Sequence, residues 1–573
     1  MKESRESMKE KMKQFTPKLF DVMKSYSGGQ FVKDLVSGII VAIIALPLSI
    51  ALALASGVGP EKGIYTAIFA GFVISFLGGS RVQIAGPTAA FATIVAGIVA
   101  EQGIEGLVIA TMMAGIILII MGFLKLGDLI RFIPYTITTG FTAGIAVTIV
   151  IGQVKDFLGL TFQESPIETI DKVKECIQCI DTFNWQALVV GLVSLAILII
   201  WPRFKALEKV PASLIAVIVA VLMVKLLKMD VKTIGDLYTI SNKMPTPHIP
   251  NVTFAMVRSL LPNAFTIAIL AGIESLLSCV VSDGMIGSRH KPNAELIAQG
   301  AGNVVSALFG GIPATGAIAR TAANVKNGGR TPVSGMVHAV VLLVVLLVLM
   351  PYAAWIPMPA IAAILFIVAY NMCGWREFVS LCKSSPKSDI LVLVTTFVLT
   401  VIFDLVVAIE VGIVTAAFLF LSRMANVTEV KSWKYLNDDI DERNDPDSIH
   451  LRKVPKHTLV YEITGPMFFG AADKFMDIHE HEKTQVIIIR MRAVPAMDIS
   501  ALRSLQKIAD RCKKRGITLI LSHVLEQPRS MMEKAGFVEA VGEENFCANI
   551  DEALNKAEVI LKEYQAKKLN QAQ

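Results

Sequence analysis

Charged residues are scarce in this sequence. Only 18% of its 573 residues are charged, whereas 54% are hydrophobic and the mean hydropathy is +0.59. Soluble domains carry about 25% charged residues, so this balance favours a membrane protein over an ordinary soluble one. The formal net charge of +6 comes largely from loops. It therefore indicates a cytoplasmic-side bias of a membrane protein and no nucleic-acid partner.

Cysteines and catalytic motifs are scarce as well. The seven cysteines are scattered, and only Cys176 and Cys179 form a C-x-x-C pair. Incidental cysteines and a loop disulfide both remain open, while a metal site would need a second pair. No nucleophile–base pair, Walker loop, zinc spacing or dinucleotide fingerprint is present, so we expect no enzyme, metal or organic cofactor. Residues 1–30 are charged and show no apolar core, so we expect no cleavable signal peptide there and predict a Lys-rich cytoplasmic arm.

Long apolar runs fill the chain from residue 31 to residue 424, which we predict to be a transmembrane transport domain. Fourteen segments are predicted, two of them of half length. Their ranges are 35–57, 60–78, 87–100, 105–124, 132–153, 186–202, 211–227, 262–284, 293–310, 314–325, 332–351, 355–371, 389–403 and 405–423.

Loop charges predict the orientation. With the N-terminus inside, inner loops hold most Lys and Arg residues, such as Arg81, Lys125 and Lys326, whereas Glu101 and Glu105 lie outside. Positive charge marks cytoplasmic loops, so both termini are predicted to be cytoplasmic in a multi-pass protein of the bacterial inner membrane.

The stretch from Gly310 to Pro332 is small, polar and rich in helix breakers, although it lies in the apolar part of the chain. Pro313 predicts a helix start, and residues 314–325 then form a helix too short to cross a bilayer. Residues 83–91 show the same pattern around Pro87. Interrupted segments at matching places in two halves indicate a transporter binding site.

A shift of 226 positions lays Pro87 on Pro313 and predicts seven segments followed by seven inverted segments. Segment 3 then runs outward and segment 10 inward, so their N-termini approach each other at mid-membrane. Two positive helix ends that face one cavity favour an anion as the ligand.

Glu274 is the only acid in the middle of a clear membrane span, in the run Ala271-Gly-Ile-Glu-Ser-Leu-Leu-Ser278. A carboxylate in such a place is a candidate proton carrier; the alternative is a polar group bonded across helices. Ser278 lies one turn further on, on the same helical face.

Other candidates lie on the half-helices and on segment 1. Arg320 is predicted to attract an anion; the alternative is that it pairs with a neighbouring acid or reaches the inner interface. Thr88, Thr315 and Gly316 lie near the half-helix starts and offer hydroxyl or N–H donors. Pro47 is predicted to break or kink segment 1. Asp283 and Glu295 lie close to predicted segment ends, where water reaches them.

The composition changes after residue 424. Residues 425–455 are predicted to be a linker, and residues 456–567 a small cytoplasmic α/β domain. Its predicted strands are 457–464, 486–490 and 518–523, and its predicted helices are 471–481, 500–515 and 549–564. Asp498 or Ser500 caps the middle helix.

Four motifs together resemble the SulP anion transporters, the sulfate-permease and solute-carrier-26 family. They are Gly78-Gly-Ser-Arg81 with Gly86-Pro-Thr-Ala-Ala-Phe91, Ile273-Glu-Ser-Leu-Leu-Ser278 with Asp283-Gly-Met285, Asn293-x-Glu-Leu-x-x-Gln-Gly-x-Gly-Asn303, and Gly310-Gly-Ile-Pro-Ala-Thr-Gly-Ala-Ile-Ala-Arg320. The tail resembles a STAS domain, and the Glu274 and Asp283 motifs are similar to those of bacterial C4-dicarboxylate transporters of the family.

The resemblance implies a 7+7 inverted repeat with core and gate domains, an elevator-like motion and a homodimer. Substrate would bind between the ends of segments 3 and 10, with segments 1 and 8 alongside. The predicted contact residues are Pro47, Thr88, Ala89, Ala90, Glu274, Ser278, Thr315, Gly316, Ala317, Ile318 and Arg320. A Glu at position 274 favours proton coupling over sodium. Ser500 matches the phosphorylated Ser of STAS antagonists, so it is a candidate regulatory residue for a cytoplasmic protein partner.

We therefore expect a secondary active transporter that moves C4-dicarboxylates such as succinate, fumarate or aspartate together with protons. A sulfate or bicarbonate carrier is the alternative within the family. An anion-binding membrane sensor that signals through the STAS domain would bind the anion without moving it. An uncoupled anion channel would conduct without needing Glu274.

Overall fold

A computed structural model describes residues 14–127, 134–164, 166, 168–204, 210–403, 405–433, 454–472, 474 and 483–571. Contacts divide the chain into two units, Met1–Val414 and Thr415–Gln573. Most of the predicted linker and most of the predicted helix 471–481 lie outside the described residues.

The first unit is helical, and eight of its described helices, including the one that continues past Val414, are long and apolar enough to cross a membrane. The helices of the fourteen segments are Gly28–Ala55, Pro60–Leu77, Ala92–Phe123 (segments 3 and 4), Tyr135–Leu158, Trp185–Ile200, Ala212–Leu226, Phe254–Ile286, Pro292–Leu308, Ile318–Lys326, Val333–Leu349, Met358–Cys373, Lys387–Ile402 and Leu405–Val427. Shorter helices are Lys18–Met23, Thr169–Gln178, Ile234–Leu237 and Trp375–Ser384.

Segments 3 and 4 are joined at Gly103, which has φ 70° and ψ −169°. This left-handed φ suits glycine and separates the half-length segment 3 from segment 4. Segments 3 and 10 are thus the two half-helices, and the fold is the 14-segment inverted repeat that the sequence predicts.

The segments pack into two bundles. Segments 1–4 and 8–11 form one, here called the core bundle, while segments 5–7 and 12–14 form the other, the gate bundle. In the core bundle a Cβ on Gly115 would meet the backbone oxygen of Gly300, and a Cβ on Gly300 that of Gly115. Glycines let the backbones of segments 4 and 9 approach closely, as membrane helices require where no hydrophobic effect drives them together.

The second unit contains a five-stranded sheet whose strands lie side by side in the order of the chain. Its strands are β3 Glu429–Trp433, β4 Thr458–Thr464, β5 Val486–Ala493, β6 Thr518–Ser522 and β7 Phe546–Cys547. β3 pairs antiparallel with β4, and the remaining pairs are parallel.

Both faces of this sheet are covered. Along β5, Ile487 and Ile489 pack in one hydrophobic cluster with helix Ile499–Lys514, whereas Val486 and Ile488 pack in another with helix Ile550–Gln571. Alternate residues of a strand point to opposite faces, which explains the uninterrupted apolar run in β5.

Candidate functional site

A two-stranded ladder joins the halves of the core bundle. β1 (Ala85–Gly86) pairs antiparallel with β2 (Thr315–Gly316), with Ala85 opposite Gly316 and Gly86 opposite Thr315. The Ala317 N–H extends the ladder by donating to the Ile84 oxygen at 2.9 Å. Because the strands are antiparallel, the half-helices that follow them leave the ladder in opposite directions.

The predicted start of segment 10 at Ala314 is wrong, since the helix begins at Ile318. The Asn303 amide accepts from the Ala314 N–H at 2.8 Å and donates to the Ala314 oxygen at 2.9 Å. These bonds hold Ala314 extended, and the next two residues pair with β1 instead of entering the helix.

The shift of 226 positions is wrong for the same reason. Pro87 follows its strand, whereas Pro313 precedes its own, so the two prolines are not equivalent. The strands themselves fit an offset of 230 positions. In segment 3, a 3-10 turn at Ala89–Phe91 leads into the α-helix.

Glu274 meets the start of segment 3. Its Oε2 accepts a hydrogen bond from the Thr88 hydroxyl at 2.9 Å, across 186 positions of sequence. Both side chains are half-buried. The carboxyl group of segment 8 is therefore held at the beginning of a half-helix, where the positive helix end favours a negative charge.

Ser275 and Thr315 fix segment 8 to β2. The Gly316 N–H donates to Ser275 Oγ at 3.0 Å, and Thr315 Oγ1 donates to the Ala271 oxygen at 2.9 Å. A hydroxyl has one proton, so Ser275 supplies the proton of the 2.7 Å bond between Ser275 and Thr315. Thr315 and Gly316 thus hold β2 against segment 8.

Ser278 is buried one turn below, where its hydroxyl donates to Thr321 Oγ1 at 3.3 Å. Thr321 Oγ1 also accepts from the Ile84 N–H at 3.0 Å. Segment 8 therefore contacts β2 through Ser275 and segment 10 through Ser278. Ser275 and Thr321 are not among the residues that the sequence predicts, because the crossing direction of the two helices cannot be read from spacing.

Arg320 lies under the ladder and is only 1% exposed. Its Nη2 donates to the Pro87 oxygen at 3.1 Å, while its Nε and Nη1 have no hydrogen-bond partner among the described residues. A Cβ on Gly86 would collide with Nη1. The alternative that Arg320 pairs with an acid or reaches the inner interface is therefore wrong, and a guanidinium group lies buried beside both half-helix starts.

The other predicted residues occupy varied positions. Ala89 and Ala90 are buried in the 3-10 turn, whereas Ala317 caps segment 10 and Ile318 is 43% exposed. Pro47 is buried inside the uninterrupted helix Gly28–Ala55, so the predicted break of segment 1 is wrong. A helix tolerates proline in a packed bundle, where neighbouring helices satisfy the freed carbonyl.

Glu295 was expected to meet water but is fully buried. Its carboxylate accepts from the Gly79 and Ser80 N–H groups at 2.9 and 3.2 Å, and from the Gln83 and Gln299 amides at 2.7 and 2.9 Å. This network holds the chain that leads into β1. Glu295 and Gln299 lie four positions apart in one motif, and this spacing is the sequence signal that indicates the network.

In the second unit, Asp498 caps helix Ile499–Lys514. Its Oδ1 accepts from the Ala501 N–H at 2.8 Å and its Oδ2 from the Phe469 N–H at 2.9 Å. Ser500 is half-buried in the first turn of the helix. The cap is therefore Asp498, the first of the two candidates from the sequence.

Two opposed half-helices, a buried guanidinium and a carboxyl group at the same crossing are the arrangement expected of a membrane carrier for small anions. The sulfate permease family profile matches residues 31–396, and the STAS domain profile matches residues 449–553.

Relatives agree with this class. YvdB of Bacillus subtilis, a protein provisionally named a sulfate transporter, is 40% identical over 92% of this chain and 98% of its own. The bicarbonate transporter BicA of Picosynechococcus is 30% identical over 91% of this chain and 94% of its own. The structure of SLC26A9 shares the fold, with a TM-score of 0.86 at 18% identity over 98% of this chain and 96% of that one.

The chain belongs to the sulfate permease (SulP) family and carries a C-terminal STAS domain. It is a multi-pass membrane protein and an anion transporter, not an enzyme.

Proposed function

We propose that the protein couples uptake of a small anion to protons at the crossing of segments 3 and 10, across the bacterial inner membrane. The observation that carries the proposal is the hydrogen bond between Thr88 and Glu274. A carboxyl group at this place can hold a proton or leave a negative charge next to the anion site, so its protonation state changes the field that the anion meets.

The anion is attracted by the positive ends of the two half-helices and by Arg320. The guanidinium has two nitrogen atoms without hydrogen-bond partners among the described residues, so these two atoms are available to bind an anion. A proton on Glu274 removes the negative charge nearest to segment 3. Proton and anion binding therefore favour each other, which is the requirement for symport.

Two substrate classes fit this site. The Glu274 and Asp283 motifs support C4-dicarboxylates, through their resemblance to bacterial transporters of such compounds. The names of YvdB and BicA support sulfate or bicarbonate as the second candidate. All are small oxyanions, and the backbone contacts at the crossing do not distinguish among them.

Uptake into proteoliposomes tests this proposal. Labelled succinate is supplied with and without an inward proton gradient, and sulfate and bicarbonate are added as competitors. Gradient-driven succinate accumulation that neither competitor reduces supports the dicarboxylate symporter. Gradient-driven transport of sulfate or bicarbonate without succinate uptake would mean that one of these anions is the substrate, while proton coupling would still be supported. Binding without any transport would instead support the sensor.

A further inference from the structure

A cavity of about 280 Å³ lies in the gate bundle, away from the crossing of the half-helices. It is lined by the end of segment 5, the start of segments 6 and 12, and the connection that follows segment 7. At roughly 30 Å³ for each water molecule, it has room for about nine waters, or for a molecule of amino-acid size.

The cavity walls are fixed by hydrogen bonds. The Asn184 side chain donates to the Asp230 oxygen at 2.8 Å, and the Gln186 side chain accepts from the Asp230 N–H at 2.6 Å. On the other side, the Met358 N–H donates to the Lys232 oxygen at 3.0 Å. The connection between the halves is thus tied to segments 6 and 12, and the cavity is part of the scaffold.

Two lysines and two aspartates, Asp156 and the exposed Asp230, line this cavity without forming a close ion pair. Lys155 lies 4.8 Å from the centre of the Phe162 ring, and Lys232 Nζ donates to the Thr161 hydroxyl at 3.2 Å. Among the described residues, none donates a hydrogen bond to the half-buried Asp156 carboxylate. Among the described lining residues, no lysine nitrogen lies within 4 Å of a carboxylate oxygen.

We propose that this cavity binds a small zwitterion, a molecule with one ammonium and one carboxylate group. Asp156 accepts from the ammonium, while Lys232 binds the carboxylate. A simple anion would leave Asp156 facing a second negative charge, and a simple cation would face two lysines. A ligand with both charges satisfies Asp156 and Lys232 together, and its binding would join segment 5 to the connection that follows segment 7.

The test measures binding of labelled glycine to the purified full-length protein in lipid nanodiscs, together with the thermal stability of the protein. Acetate and methylammonium serve as probes that carry one charge each. We expect glycine to bind and to raise the Tm, while neither single-charge probe does so at the same concentration. Equal stabilisation by acetate would make this an anion site, equal stabilisation by methylammonium a cation site, and either result overturns the proposal.

Two variants locate the binding. Asp156→Asn and Lys232→Gln remove one charge each, so each is expected to weaken glycine binding about tenfold or more, because each removes a hydrogen bond to a charged group of the ligand. Lys243→Gln, outside the lining, is the control and leaves binding unchanged. Unaltered glycine binding in both charge variants, or no glycine binding by the native protein, contradicts the proposal. Anion transport is not part of the readout, so the result is independent of the proposed function.

Discussion

At the scale of single residues, the proposed coupling depends on Glu274 and its contact with Thr88. The sequence predicts Glu274 because an acid in a long apolar run has no ordinary reason to be there. Its partner is 186 positions away, and Thr88 was predicted only as a residue near a half-helix start. The contact itself follows from the crossing of segments 3 and 8, which spacing alone does not give.

Replacing Thr88 by valine removes the hydroxyl and keeps the shape of the side chain. A hydrogen bond to a charged group contributes roughly 1.5–3 kcal/mol, so we expect Thr88→Val to lower anion transport about tenfold or more. Thr88→Ser keeps the donor and is expected to retain most of the transport. Initial uptake rates in proteoliposomes compare the two, and equal loss in both variants would mean that the methyl group and not the hydroxyl matters.

Gly86 is required because the Arg320 guanidinium occupies the space of a Cβ. We expect Gly86→Ala to displace Arg320 or β1, to lower stability by about 1–3 kcal/mol as overpacking does, and to reduce transport strongly. The matched control is Gly97→Ala in segment 3, where a Cβ meets nothing within 4 Å. Thermal unfolding and uptake are measured for both variants. A Gly86→Ala protein as stable and active as the control would show that Arg320 is not fixed here.

At the scale of elements, the segments are predictable and the ladder is not. Helix lengths and apolar runs indicate segment positions, and most observed bounds lie within a few residues of the predicted ones, although segment 8 begins at Phe254, eight residues early. β1 and β2 have two residues each, and every ladder bond joins residues about 230 positions apart. So short a strand has no periodicity, and the prolines beside it suggested helix starts instead.

The ladder depends on Ser275 as an acceptor. Ser275→Ala leaves the buried Gly316 N–H without its partner, which costs about 1–3 kcal/mol. Ser282→Ala is the control, because Ser282 is equally buried in the same helix and bonds only to the Cys279 oxygen of that helix. We expect a lower Tm and weaker anion affinity for the first variant only. Similar Tm values for the two would contradict the role of Ser275 in holding β2.

In the second unit, the Asp498 cap can be tested by hydrogen exchange in the full-length protein. Loss of an N-cap costs about 0.5–2 kcal/mol, so Asp498→Ala is expected to speed amide exchange of Ala501 and Phe469 by about two- to thirtyfold. Ser500→Ala is the control, since its hydroxyl makes no hydrogen bond to a described residue. Faster exchange in the Ser500→Ala variant instead would show that Ser500, and not Asp498, caps the helix.

At the scale of the whole molecule, the inverted repeat brings the two half-helices to the proposed anion site. Two half-helices from opposite halves share one ladder, and segments 8 and 3 bring Glu274 to it. The sequence predicts the number of segments, the two half-helices and the anion class, because these rest on apolar length and helix breakers. Substrate identity depends on side-chain geometry around a cavity, and sequence pattern does not contain it.

The most direct test of the account compares the native protein with Glu274→Gln in proteoliposomes. Accumulation of the transported anion is measured under an inward proton gradient, and exchange of the same anion is measured without a gradient. Glu101→Gln, an exposed acid-to-amide change, is the control. The account predicts that Glu274→Gln keeps anion exchange and loses gradient-driven accumulation. Accumulation that still follows the proton gradient in this variant would contradict it.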